Sequence, residues 1–125
     1  LKTSKKDFEI FKVECRKWIN ILGLKDWQVH FTHTKMDGIR AQIVFQCIAR
    51  VATISLNTEW NEWAKISITD QLIKKAAFHE VCELLMGKLN DLATQRFNLD
   101  EADVEEEIHR IIRTLENVLW EKSKK

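Results

Sequence analysis

The sequence predicts an α+β domain, and three observations carry that reading. Apolar residues recur at helical spacing near both ends of the chain, and between Trp27 and Asn57 they alternate with polar ones. The 125 residues hold no proline and only three glycines, with no low-complexity stretch or repeat that would mark a linker. One domain over residues 1–125 is therefore expected, long enough to close a single core.

Ser4 opens "SKKD", a capping box, and Phe8, Phe11, Val13, Cys15, Trp18, Ile19, Ile21 and Leu22 carry a first helix up to Gly23. In "DWQVHFTHT" the residues Trp27, Val29, Phe31 and His33 share one face, while Gln28, His30 and Thr32 share the other. That is a half-buried strand. Asp37-Gly38 signals a turn, and "RAQIVFQC" and "ARVATISLN" add two more strands. The expected sheet is small, three-stranded and antiparallel. "NTEWNEWAKIS" reads as a loop or short irregular helix. Ser67 or Thr69 can cap the next helix, from about Asp70 through Gly87 and on towards Ala93. Asp100 caps a long final helix marked by Val104, Ile108, Ile111, Ile112, Leu115, Val118 and Leu119.

Composition narrows the function classes. Twenty basic residues against nineteen acidic leave a net charge of +1, so a nucleic-acid partner is not expected. Cys15, Cys47 and Cys82 are odd in number and form no C-x-x-C pair. A reducing, cytoplasmic setting follows, without a disulfide framework. No run of apolar residues is long enough for a membrane span, and no export signal is read.

Within the central helix, Ile73, Ala77, Val81, Leu84, Leu85 and Leu92 share one arc, which must face the core. A second arc holds Leu72, Ala76, His79, Glu80, Glu83, Gly87 and Asn90, and Cys82 points away from it as a small apolar side chain. His79 and Glu83, one turn apart, project side by side and can reach one ion. Glu80 stands beside the first ligand, placed to act as a general base. A metal centre of this type needs three protein ligands and an open position for water. If the central and final helices form a hairpin, Glu83 and His109 differ by only ~3 Å in axial position. His109 is therefore the preferred third ligand. Glu105 and Glu106, just before it, could accept its second N–H or one of them could itself be the third ligand.

"HEVCE" from His79 to Glu83 has the form of H-E-x-x-H with glutamate in the last position. Together with "WINILGLKDWQVHF", "ARVATISLN" and "EEIHRIIRTLEN" it resembles the zincin metallopeptidases, especially SprT-like forms and small metallopeptidases encoded by phages and prophages. The resemblance implies one zinc ion per chain, held by His79, Glu83 and His109, with Glu80 as base. It also implies a peptide or protein substrate, added as an extended strand along the last strand of the sheet. The chain has no tyrosine to stabilise an oxyanion. Arg40, Arg110, Arg113 or His33 would have to serve. The competing expectation is a binding module on the same scaffold, without catalysis.

Overall fold

The computed structural model describes residues 1–60, 67–94 and 100–120. Its first helix, α1 (Lys5–Ile21), starts where the capping box predicts: Ser4 Oγ accepts from the Asp7 N–H, and the Asp7 carboxylate accepts from the Ser4 N–H. Gly23 follows with φ +72°, in the left-handed region that glycine adopts freely, and turns the chain into the sheet.

The strands are β1 (Gln28–Thr34), β2 (Ala41–Gln46) and β3 (Val51–Asn57), in the spatial order β1-β3-β2. The β2–β3 hairpin forms as expected, with Ile43 opposite Ile54 and Phe45 opposite Ala52. The all-antiparallel expectation is corrected, because β1 runs parallel to β3, pairing Phe31 with Ile54. The link from β1 does reverse the chain, but β3 inserts between its two neighbours. Ala52, Ile54 and Leu56 are the most thoroughly buried inward-facing residues of the sheet, and a central position covers them from both sides. The outer face is polar, with Gln28, His30, Thr32, Gln42 and Gln46 exposed.

Asn57 fixes how the link is laid down. Its amide donates to the carbonyls of Met36 and Ile39, both at 2.7 Å, and its Oδ1 accepts from the N–H groups of Met36 and Glu59 at 3.0 Å. All four bonds of a fully buried amide are thus made. The N-terminus is tied to the same corner, where Thr3 Oγ1 donates to the Asn57 carbonyl at 2.8 Å and accepts from His33 Nε2 at 2.7 Å. His33 also stacks on Phe8.

Thr69 caps α2 (Asp70–Leu85), accepting from the Leu72 N–H. Its predicted core arc is correct: Ile73, Ala77, Val81, Leu84 and Leu85 are buried with Phe11, Cys15, Ile54 and Leu56. The helix does not run on through Gly87. It ends at Met86, and α3 (Gly87–Thr94) starts afresh. The Phe45 ring presses on Gly87 so closely that a Cβ there would lie 3.0 Å from Cε2. Asp100 caps α4 (Glu101–Leu115), which passes into a π-helical stretch, Glu116–Trp120. The Arg110 guanidinium ties α4 to the end of α2 by donating to the Leu85 carbonyl at 3.2 Å. Trp60 is buried, whereas Trp63, Lys122, Lys124 and Lys125 lie outside the described residues. Among the described residues no helix is long and apolar enough to cross a membrane.

Candidate metal centre

Helical spacing on α2 brings three side chains together. Ligand atoms of His79, Glu80 and Glu83 all lie within 4.8 Å of one another, the one such His/Cys/Asp/Glu group among the described residues. His79 Nε2 stands 4.0 Å from Glu83 Oε2, with both side chains open to solvent. Glu80 differs from its neighbours. It is only 5% exposed, and its Oε2 is buried without a hydrogen-bond partner. Burial raises its pKa to about 8, and the Glu83 carboxyl beside it, which favours a shared proton and repels a second charge, pushes the same way. Two carboxylates and an imidazole at this spacing suit a divalent cation, whose charge would offset the burial and the Glu83 repulsion that raise the Glu80 pKa.

His79 stands between two depressions in the cleft separating α2 from β2. One, of about 320 Å³, is lined by Ile39, Arg40, Ala41, Lys75, Ala76 and Glu80. The other takes in Ile43, Phe45, Cys82, Glu83 and Met86. The inward-facing residues of β2 therefore form one wall of the site. Because β3 is central, it cannot be the strand that receives a peptide; β2 is the edge beside His79. Cys82 is also corrected, since it lines the cleft with His79 and Glu83 instead of turning away.

His109 does not join this group. It is exposed on α4, outside the cluster formed by α2. The inward face of α4 is centred on Ile111 and includes Glu107, which is buried and accepts from Arg110 Nε at 2.8 Å. His109 lies two residues, about 200°, around the helix from Ile111, so it points elsewhere. Glu105 and Glu106 are exposed as well, and Glu106 borders a separate polar depression with Lys88, Asp103 and Arg113. Of the four residues expected to stabilise an oxyanion, only Arg40 lines the cleft with Glu80; its guanidinium also stacks on Trp60, 5.0 Å from the ring centroid. Arg110 is committed to Glu107 and Leu85, and His33 to Thr3 and Phe8.

Lys75 and Asn57 are the residues of this region that the sequence pattern did not single out. Lys75 borders the cleft, one turn before His79, and its position on the second arc of α2 was readable. Asn57 shapes the lip at Ile39 from a distance of 18 residues, which no local pattern reveals. No family model, curated protein or solved structure matches the chain.

Proposed function

We propose that the chain is a zinc-dependent peptidase of zincin type, with His79 and Glu83 of α2 supplying two of the metal's ligands. The observation that carries the reading is the convergence of His79, Glu80 and Glu83, with Glu80 buried beside a second carboxyl and its Oε2 without a hydrogen-bond partner. Functional sites are where such unfavourable burial is retained.

Neutral His79 offers Nε2 and Glu83 a carboxylate oxygen. A bound zinc ion would supply Lewis acidity and bring the pKa of a coordinated water towards ~7. Glu80, with its pKa raised to about 8 by burial and by Glu83 while the cation is absent, is the base beside that position. It takes the proton from the attacking water and passes it to the leaving amine. An extended peptide lies along the open edge of β2, exchanging backbone hydrogen bonds there and crossing His79. Arg40, on the same wall, is the cation that faces the carbonyl oxygen as charge develops on it.

Metal analysis of protein purified without chelator should find about one equivalent of zinc, lost in His79→Ala. Glu80→Gln should keep the metal and lower hydrolysis of an unfolded protein substrate by about a hundredfold or more. A chain that stays metal-free in micromolar zinc at neutral pH would sink the proposal. The position of His109 favours one second reading, a binding module that grips an extended peptide on β2 without cutting it. In that case Glu80→Gln leaves peptide affinity unchanged and the wild type releases no product.

A further inference from the structure

His79 divides the cleft between α2 and β2 into two halves of opposite character. Towards the start of both elements, the depression of about 320 Å³ is lined by Lys75 and Ala76 of α2 and by Ile39, Arg40 and Ala41 at the head of β2. Towards their ends, a depression of about 350 Å³ is lined by Ile43 and Phe45 of β2 and by Cys82, Glu83 and Met86. The helix and the strand therefore run side by side in one direction, and the two halves follow each other along the edge where an extended chain would lie.

The first half is cationic. Lys75 and Arg40 line its two walls, and among the described residues the one acidic side chain that lines it is the buried Glu80. Arg40 is held over the Trp60 ring. Lys75 is exposed, one turn or ~6 Å along α2 before His79, and no described carboxylate pairs with it. An ammonium so placed attracts an anionic group brought into the cleft. The second half is apolar on the strand side, where Ile43 and Phe45 face it, and Met86 is 39% exposed at its far end. An unbranched thioether side chain adapts its shape to whatever apolar group enters.

We infer that the cleft selects an extended peptide that carries a carboxylate and a bulky apolar side chain on opposite sides of His79, with Lys75 as the residue that takes the carboxylate. Along an added strand every second side chain faces the cleft, so the two groups stand an even number of residues apart. From Ala41 to Phe45 the strand offers ~13 Å, room for a separation of two or four residues. The inference rests on the reading of β2 as a peptide-binding edge, which holds with or without cleavage, and it does not depend on the metal.

The test titrates short fluorescent peptides against the Glu80→Gln protein in zinc-containing buffer, so that none is cut. The peptides carry Leu and Glu two or four residues apart, in both orders and with amidated ends. Anisotropy should show the best Leu/Glu peptide binding about fivefold more tightly at low ionic strength than its Leu/Gln counterpart, with the difference fading at high salt. A Leu/Gln peptide that ends in a free carboxylate at the Glu position shows whether a chain end serves as well as a side chain. Lys75→Glu, at an exposed position, should reverse the preference in favour of a Leu/Lys peptide with Tm unchanged. Met86→Gln should weaken Leu peptides more than their Ala counterparts. Equal affinity for carboxylate and amide peptides, a preference that survives Lys75→Glu, or the absence of peptide binding overturns the inference. A carboxylate preference in a chain that never cleaves overturns the peptidase reading alone, whereas zinc uptake and cleavage without that preference overturn this inference alone.

Discussion

Two buried glutamates, Glu80 on α2 and Glu107 on α4, are almost equally withdrawn from water, at 5% and 8% exposed. Their surroundings are opposite. Glu107 accepts from Nε and Nη2 of Arg110, which also caps the Leu85 carbonyl, so its charge is neutralised within the fold. Glu80 faces the Glu83 carboxyl, and its own buried Oε2 has no hydrogen-bond partner. The contrast separates structure from site. A buried carboxylate that keeps its guanidinium serves the packing of α4 on α2, and one set beside a second carboxylate destabilises the fold unless something cationic arrives.

The largest effect expected from this contrast is on Glu107. Glu107→Ala should cost about 2 kcal/mol in chemical denaturation, because Arg110 loses its counter-charge at the α2–α4 junction. Glu80→Gln should do the reverse, stabilising the metal-free protein above pH 8 while leaving it unchanged at acid pH. The direction follows from the raised pKa. Between the ordinary value of 4.5 and about 8 the folded chain holds a proton on Glu80 that the unfolded chain has released. Stability of the wild type therefore falls as pH rises through that window and levels off above it, and Tm measured against pH in the two proteins should show the slope only in the wild type. An equal slope in Glu80→Gln would assign it to another group. The smallest effect belongs to His109→Ala, expected within about 0.5 kcal/mol of wild type because the imidazole is exposed. Zinc binding retained in that variant would exclude His109 from the ligand set; zinc lost would return it.

Much of the local architecture was legible in the sequence. The caps at Ser4, Thr69 and Asp100, the alternation of β1 and β2 and the core arc of α2 all follow from short-range periodicity, which side-chain geometry dictates directly. The grouping of His79 with Glu83 belongs to the same class. What escaped depends on packing between elements. Axial counting placed His109 level with Glu83, but axial position does not fix rotation about the helix. The apolar residues of α4 cover a broad arc, and the core took its Ile111 side, leaving Ile112 and His109 turned outward. Strand order escaped for a similar reason: the hairpin is local, whereas the insertion of β3 between β1 and β2 is a long-range pairing that no short-range pattern reveals. The break at Met86 was half visible in Gly87, but the Phe45 ring that leaves no room for a Cβ there comes from across the cleft.

The mixed sheet also constrains the order of events in time. The hairpin needs only the turn from Cys47 to Arg50 to bring Gln46 against Val51, while β1 must find β3 across the whole of β2, as in the hydroxyl pair Thr32 and Ser55, 23 residues apart. Loop closure favours the shorter route. The β2–β3 ladder should therefore be protected first in pulsed hydrogen exchange, with β1 docking afterwards on an edge of β3 that is already formed. Because the link clamped by Asn57 settles only when β1 arrives, the lip of the cleft at Ile39 is among the last parts of the molecule to take shape.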